Sequence, residues 1–119
     1  MEIMTDQYIP TINHFSALIT VGNLSNNSIQ VQETLDRFIT LVNLHVVKKY
    51  IHKFDPIGET FIYILSESHL AIHTWPEYKL LHLNLVSCSP LKKQSIKNAI
   101  IQSFSTFGVS NLSLAQHKI

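Results

Sequence analysis

Cysteine is almost absent from this chain of 119 residues, because Cys88 is the only one. A single cysteine excludes an internal disulfide, which favours a reducing compartment. Long apolar runs are also missing, since no stretch approaches the roughly 18 residues of a membrane span. The N-terminal segment Met1–Asp6 lacks the charged and apolar regions of a signal peptide. We therefore expect a cytoplasmic protein.

Charge of one sign is equally sparse. Nine basic and eight acidic residues give a formal net charge of +1, and no run of either sign stands out. Proteins that bind nucleic acids or membrane surfaces usually show such runs, so we expect neither partner. Repeats, linkers and low-complexity segments are missing too, and the length suits a single domain, residues 1–119, with a modest core.

The pattern of apolar residues predicts the secondary structure. Alternating segments and segments rich in β-branched residues predict strands over residues 14–21, 46–54, 59–66, 69–75, 80–88 and 109–116. Helical spacing predicts one helix of about five turns that Asn27 caps. A second helix has Pro90 at its first position and Gly108 at its end. The order β-α-β-β-β-β-α-β predicts an α+β fold, a two-layer sandwich with an antiparallel sheet and two helices on one face.

Strand alternation sorts the side chains into two unequal faces. One face is apolar and should be covered by the helices; it comprises Phe15, Ala17, Ile19, Val21, Phe61, Tyr63, Leu65, Leu70, Ile72, Leu81, Leu83 and Leu85. The other face is mixed and comprises His14, Ser16, Thr20, Thr60, Ile62, Ile64, His69, His73, His82, Asn84, Val86 and Cys88. A partner subunit that stacks its own sheet there would explain the mixture. An ordinary solvated sheet face with scattered histidines explains it as well.

A possible nucleophile, two imidazoles and two carboxylates occur together in residues 66–77, which read Ser-Glu-Ser-His-Leu-Ala-Ile-His-Thr-Trp-Pro-Glu. This segment closely resembles the processing segment of the small bacterial and archaeal S-adenosylmethionine decarboxylases, which make their own pyruvoyl cofactor by cutting themselves at a Glu-Ser bond. The resemblance implies cleavage between Glu67 and Ser68, into a beta chain of residues 1–67 and an alpha chain of residues 68–119.

A pyruvoyl group forms when a serine hydroxyl attacks the carbonyl of the residue before it. The amide becomes an ester, the ester eliminates, and the dehydroalanine left behind hydrolyses with loss of ammonia. This chemistry needs an accessible, strained turn, an oxyanion stabiliser and a base for the serine α-proton. Ser68 lies between two predicted strands and suits such a turn, although by itself it could be an ordinary polar turn residue. The ketone then forms a Schiff base with the substrate amine, carbon dioxide leaves, and a protein acid returns a proton.

The resemblance assigns roles to five further residues by their spacing from the cleaved serine. It implies that His73 and Thr60 promote processing and that Cys88 donates the proton to the product. Phe54 matches an aromatic position associated with adenine stacking, and Glu77 matches a carboxylate suited to ribose hydroxyls. Each residue also has an ordinary structural explanation, such as a satisfied histidine, a buried strand cysteine, a core phenylalanine or a solvated turn carboxylate. No metal site is expected.

The spacing of Ser68 and His73 predicts a homodimer. The two residues are five positions apart, which is roughly 16 Å on an extended strand and too far for direct chemistry. We therefore expect Thr60 and His73 to serve the Ser68 of another subunit. A two-fold dimer that stacks the polar sheet faces would do this twice, and the family's dimers, with sites built from both subunits, agree.

The chain also departs from the family pattern. Leu18 stands where the family usually has an acidic residue, and Asn84 replaces a common aspartate; both changes remove negative charge that would favour the sulfonium cation of S-adenosylmethionine. Residues 58–61 read Gly-Glu-Thr-Phe instead of Gly-Val-Ser-Gly, and Tyr78-Lys79 replaces Tyr-Gly.

Taken as a whole, the resemblance favours a pyruvoyl-dependent S-adenosylmethionine decarboxylase that serves spermidine synthesis. It leaves open a pyruvoyl-dependent decarboxylase of ornithine or arginine, or a non-processing regulatory paralogue.

Overall fold

Six antiparallel strands form one sheet, and two α-helices lie on one of its faces. The computed structural model describes residues 11–119, so the N-terminal segment on which the signal-peptide prediction rests lies outside the described residues. The elements are β1 (Asn13–Val21), α1 (Ser28–Val42), β2 (Val46–Lys53), β3 (Glu59–Leu65), β4 (Ser68–Trp75), β5 (Leu80–Ser87), α2 (Lys93–Ser103) and β6 (Val109–Lys118). The predicted α+β fold is confirmed.

The strand order β2-β3-β4-β5-β1-β6 places β1 between β5 and β6. Every neighbouring pair is antiparallel. Short turns join β3, β4 and β5 into a meander, whereas the longer connections through α1 and α2 carry the chain to the two edge strands. This order puts β4, which begins at the predicted cleavage serine, in the interior of the sheet.

The face predicted to be covered by the helices is the buried one. Each of its twelve residues is at most 3% exposed, and they are Phe15, Ala17, Ile19, Val21, Phe61, Tyr63, Leu65, Leu70, Ile72, Leu81, Leu83 and Leu85. The helix layer completes the core with Val31, Leu35, Phe38, Ile96 and Ile100. Because successive side chains of a strand point to opposite faces, the residues between these core positions all lie on the other side of the sheet.

The first helix begins as predicted and ends earlier. The Asn27 side chain accepts hydrogen bonds from the N–H groups of Ile29 and Gln30 at 3.0 and 3.4 Å, which caps the helix. α1 has 15 residues, about four turns rather than five. Asn43 adopts a left-handed conformation with φ 61° directly after Val42 and ends the helix there.

The predicted start of the second helix at Pro90 is wrong, because α2 begins at Lys93. The N–H of Leu91 donates a hydrogen bond to the Ser89 carbonyl at 2.8 Å, so the chain makes a tight turn before it becomes helical. The helix also ends before Gly108, and a short 3-10 turn separates them; Gly108, with φ 72°, ends that turn. Neither described helix is long and apolar enough to cross a membrane.

Candidate active site

Most residues that the sequence assigns to the site lie on the side of the sheet that the helices leave uncovered. We call this side the open face. Its outward strand positions are His14, Ser16, Leu18, Thr20, Lys48, Tyr50, His52, Thr60, Ile62, Ile64, His69, Ala71, His73, Trp75, Leu80, His82, Asn84, Val86, Asn111, Ser113, Ala115 and His117. Six of the seven histidines of the chain are among them. These outward positions of the described strands include no carboxylate, and Glu67 and Glu77 lie in the turns at either end of β4.

The predicted cleavage site lies in the hairpin turn between β3 and β4. Leu65 pairs with Ser68, so Ser66 and Glu67 alone connect the two strands. Glu67 has φ 58°, a left-handed conformation that costs residues other than glycine on the order of 1–2 kcal/mol. The Ser68 hydroxyl donates a hydrogen bond to the Ser66 carbonyl at 3.2 Å. The bond between Glu67 and Ser68 therefore lies in a strained and accessible turn.

Cys88 reaches this turn from the end of β5. Its thiol donates a hydrogen bond to the Glu67 carbonyl at 3.1 Å. The strand register explains this contact, because His69 pairs with Val86 and an extension of that pairing by two positions puts Cys88 opposite Glu67. The structure thus brings Glu67, Ser68 and Cys88 together. A thiol at the oxygen of this bond can polarise the carbonyl and stabilise negative charge on it.

Thr60 and His73 form a second group further down the hairpin. They pair directly across β3 and β4, and Thr60 Oγ1 and His73 Nδ1 are hydrogen-bonded at 2.8 Å. Burial lowers the pKa of His73, and the adjacent His82 lowers it further. An imidazole that stays neutral can accept a proton, which suits the role expected of His73.

These two groups do not meet within one chain. Ser68 begins β4 and His73 lies five residues along it, a separation of roughly 16 Å on an extended strand. Proton transfer needs hydrogen-bond contact of about 3 Å, or one intervening water. The structure therefore joins Thr60 to His73 by a hydrogen bond and Cys88 to the predicted cleavage bond, but it does not bring His73 to Ser68 of the same chain.

A cleft of about 350 Å³ opens beside Thr60 and His73. Phe54 and Glu77, the two residues assigned to substrate binding, both line it. Phe54 is 51% exposed, so it is not a core residue, although phenylalanine is usually buried. Trp75 was not predicted as a site residue, but it lines the same cleft. Its spacing of two residues from His73 along β4 is the signal that places both on the open face.

Two departures from the family pattern lie on the open face beside histidines. Asn84 Oδ1 and His14 Nε2 are hydrogen-bonded. Leu18 pairs with His82 across β1 and β5, and the ring of His82 is hydrogen-bonded instead to Ser16, with 2.9 Å between Nε2 and Oγ. These two histidines are therefore hydrogen-bonded to neutral groups.

Two other departures are Glu59, which borders the cleft, and Lys79, which follows the 3-10 turn Pro76–Tyr78. Glu59 is 3% exposed, and the hydroxyl of Ser28, the first residue of α1, donates a hydrogen bond to its carboxylate. The partial positive charge of a helix N-terminus favours a carboxylate in this place. Lys79 has φ 52°, so the backbone keeps the left-handed conformation that glycine adopts without strain.

Comparison with known proteins relates the chain to one family. Residues 21–116 match the family model described as S-adenosylmethionine decarboxylase. Curated relatives named S-adenosylmethionine decarboxylase proenzyme include that of Pseudomonas aeruginosa (strain UCBPP-PA14), which is 36% identical over 58 residues, 49% of this chain and 36% of the relative. The relative from Aquifex aeolicus (strain VF5) is 33% identical over 63 residues, 53% of this chain and 47% of the relative. These alignments span half or less of the relatives' length.

A solved structure agrees with the family match. The crystal structure of the adenosylmethionine decarboxylase from Aquifex aeolicus VF5 superimposes on this one with a TM-score of 0.70 and 20% sequence identity, over 91% of this chain and 88% of that chain. At this identity the superposition establishes a shared fold. Because the family model covers most of the sequence, residues 21–116, the chain belongs to the S-adenosylmethionine decarboxylase family.

Proposed function

We propose that this protein is a self-cleaving, pyruvoyl-dependent decarboxylase that converts S-adenosylmethionine to decarboxylated S-adenosylmethionine and carbon dioxide for spermidine synthesis. The observation that carries the proposal is the hydrogen bond of 3.1 Å from the Cys88 thiol to the Glu67 carbonyl, at the predicted cleavage bond. The names of the curated relatives support the substrate. The proposal includes a cytoplasmic location, because the roles of Cys88 need a free thiol and a reducing compartment maintains one.

Cleavage begins with attack of Ser68 on the carbonyl of Glu67. The hydroxyl must first give up its hydrogen bond to the Ser66 carbonyl and turn towards the Glu67 carbonyl carbon. The negative charge then develops on the oxygen to which Cys88 already donates, which is where a stabilising donor is most effective. Relief of the left-handed conformation at Glu67 favours the reaction. The products are two fragments, residues 1–67 and residues 68–119, which together make up the single predicted domain.

His73 supplies the base that removes the α-proton of Ser68 during elimination. If Nε2 is to accept this proton, Nδ1 has to carry a hydrogen and donate it to Thr60 Oγ1, across the observed 2.8 Å. Thr60 then fixes both the tautomer and the orientation of the ring. The lowered pKa of His73 supports this role, because the base must be neutral before it acts.

A second copy of the chain has to provide this base, because His73 and Ser68 of one chain are roughly 16 Å apart. A two-fold axis that lies between the stacked sheets, perpendicular to the strands, makes the strands of the two sheets run in opposite directions. Each end of one sheet then faces the opposite end of the other. It would place each cleavage turn near the partner's Thr60 and His73 and would cover the half-buried open face. The active form proposed is therefore a homodimer of cleaved protomers. Aliphatic residues among the histidines, such as Ile62 and Val86, suit a face-to-face contact of this kind.

The surroundings of Ser68 fit the pyruvoyl group that its conversion would leave at the start of the second fragment. When present, this group supplies an electron sink for the loss of carbon dioxide from an amine-bearing substrate. Cys88 lies beside that position and can return a proton to the α-carbon of the substrate. One thiol would thus serve both the cleavage and the decarboxylation.

The cleft favours a substrate that carries a nucleoside. Phe54 and Trp75 offer aromatic surfaces to an adenine ring, and the Glu77 carboxylate can accept hydrogen bonds from two ribose hydroxyls. A volume of about 350 Å³ is within the range of small-molecule sites. These features support S-adenosylmethionine as the substrate.

A basic amino acid such as ornithine or arginine is the second candidate, because Leu18 and Asn84 replace acidic residues of the family. The side-chain cation of such a substrate would need a carboxylate partner. The outward positions of the described strands offer none. The sulfonium cation of S-adenosylmethionine lacks the same partners, but its adenosyl group can contribute binding through aromatic contact with Phe54 and Trp75, and this contact favours S-adenosylmethionine.

Mass spectrometry of freshly purified protein tests the cleavage. The 13.6 kDa chain should give way to two fragments that meet between Glu67 and Ser68, and the second should react with a carbonyl reagent at its N-terminus. The control is Ser68→Ala, which should stay intact. A wild-type chain that remains at 13.6 kDa after prolonged incubation would support the non-processing paralogue instead.

Carbon dioxide release from the cleaved protein tests the substrate. We expect release from labelled S-adenosylmethionine and little from ornithine or arginine. Glu77→Gln and Phe54→Leu should each raise the KM for S-adenosylmethionine without preventing cleavage, because both residues line the cleft and neither has a part in the cleavage chemistry proposed above. Release from a basic amino acid alone would contradict the proposed substrate while leaving the cofactor in place.

A further inference from the structure

Four polar side chains form a row across the open face, with His73 inside it. They are Thr60 on β3, His73 on β4, His82 on β5 and Ser16 on β1. There is one hydrogen bond at each end of the row: Thr60 Oγ1 and His73 Nδ1 are 2.8 Å apart, and Ser16 Oγ and His82 Nε2 are 2.9 Å apart. Between them the two imidazole rings stack, with centroids 6.3 Å apart and planes 22° from parallel. His82 has no role in the function proposed so far.

We propose that His82, held by Ser16, is a positioning residue that stacks against the ring of His73 and keeps it neutral. This inference rests on the proposed function, because it assumes that His73 is the base for cleavage. Ser16 holds one ring of the stack and Thr60 holds the other, so neither ring can turn freely without loss of a hydrogen bond. Nε2 of His73 then remains as the proton acceptor.

The physical basis is the repulsion between two adjacent imidazolium ions. Two stacked histidines cannot both be protonated without an unfavourable interaction, so a proton on one lowers the affinity of the other for a second proton. A neighbouring carboxylate would cancel this effect, but Leu18 rather than an acidic residue pairs with His82. In the proposed dimer the partner's Glu67 also comes near His73, and it is the same in all the variants compared below.

Among the titratable groups near His73 in the described part of the chain, His82 is the one whose ring stacks on it. His52 lies on β2, beyond the strand that separates it from His73. Glu59 and Glu77 border the cleft, but Glu59 is bonded on the helix side of the sheet and Glu77 is exposed in the turn after β4. Burial lowers the pKa of His73 and His82 lowers it further, in agreement with this arrangement.

Histidine ring NMR in the uncut Ser68→Ala chain measures the coupling directly. His82→Gln removes the second imidazole and should raise the pKa of His73 towards its ordinary value. His82→Phe keeps a stacked ring that cannot be protonated, and it should also raise the pKa of His73. The test therefore still works if one of the two variants fails to fold. His117→Gln is the matched control, because His117 is on the same face but on β6, and it should leave the pKa of His73 unchanged.

The pH dependence of cleavage distinguishes positioning from general damage. Because only the neutral base accepts a proton, the acidic limb of the rate profile in His82→Gln should move to higher pH, with the rate well above that limb retained. A uniform loss of rate at every pH, or an unchanged pKa of His73 in both His82 variants, would overturn this inference alone. A wild-type chain that never cleaves would overturn the proposed function and this inference with it.

Discussion

Chains that carry Ser68→Ala and chains that carry His73→Ala should complement each other, although neither variant should form the keto-terminated fragment by itself. In a stacked dimer, the intact Ser68 of one chain meets the intact His73 of the other. The separation of these residues in a single chain, roughly 16 Å along β4, excludes direct proton transfer within the chain. Cleavage in a mixture would therefore have to occur between subunits.

The expected yield follows from random pairing. Equal amounts of the two co-expressed chains should give about half heterodimers and about a quarter of each homodimer. Each heterodimer contains one complete site and one site that lacks both groups. About half of the His73→Ala chains should therefore be cut, none of the Ser68→Ala chains should be, and the number of active sites should be about a quarter of that in wild-type protein.

Intact-mass analysis of the co-expressed mixture gives these fractions, because the two variants differ in mass. The readout is the keto-terminated fragment, since a serine ester that forms without the base could hydrolyse to an ordinary N-terminal serine. Co-expression of His73→Ala with the double variant Ser68→Ala/His73→Ala is the control and should yield no such fragment. If the first mixture also yields none while wild-type protein cleaves fully, the base acts within its own chain and the proposed dimer site is wrong.

Three further pairs of variants test the site and its frame. Cys88→Ala should slow cleavage about tenfold or more, because a hydrogen bond to a charged oxygen contributes on the order of 1.5–3 kcal/mol. Cys88→Ser keeps a donor and should cleave faster than Cys88→Ala. Equal rates in the two variants would contradict the proposed stabilisation of the oxyanion by Cys88. Thr60→Val should slow formation of the keto fragment about tenfold through loss of the bond to His73, whereas Thr60→Ser keeps the hydroxyl and should not. Gly58→Ala should lower the free energy of unfolding in urea by about 1–2 kcal/mol, because Gly58 has φ +98° and a Cβ there would lie 3.1 Å from a backbone oxygen. Gly22→Ala is the control, because a Cβ there would lie 3.7 Å from its nearest atoms, and it should lower the free energy of unfolding by less. Equal losses of stability in the two variants would show that backbone conformation does not decide the effect.

Much of the fold can be predicted from the sequence because its signals are local. Alternation assigns the twelve apolar residues predicted to face the helices to the correct face, since the side chains of a strand alternate whatever its neighbours are. The same rule reaches the site, because alternation places Thr60 and His73 on one face of the sheet, where they pair across β3 and β4. Asn27 marks the start of α1 because a cap needs only the next few N–H groups.

The features that could not be predicted depend on contacts between distant segments. The insertion of β1 between β5 and β6 has no local signal, so the bond between Ser16 and His82 was not foreseen. The contact of Cys88 with Glu67 depends on the register of β4 and β5 across the 3-10 turn Pro76–Tyr78. The start of α2 was misplaced because proline is only favoured in a first helical turn, and a tighter turn precedes the helix here.

The division of the site between the two ends of the sheet bears on when cleavage can happen. A chain that held Ser68 and its base within one hairpin could cut itself as soon as β3 and β4 paired, before α1 and α2 covered the core. A cut at that stage would separate residues 1–67 from the rest of the sheet while the chain was still unfolded. When the base belongs to another subunit, cleavage requires a complete open face on both chains and their association. The proposed dimer would therefore delay self-cleavage until the backbone on either side of the cut is held by the pairing of β3, β4 and β5.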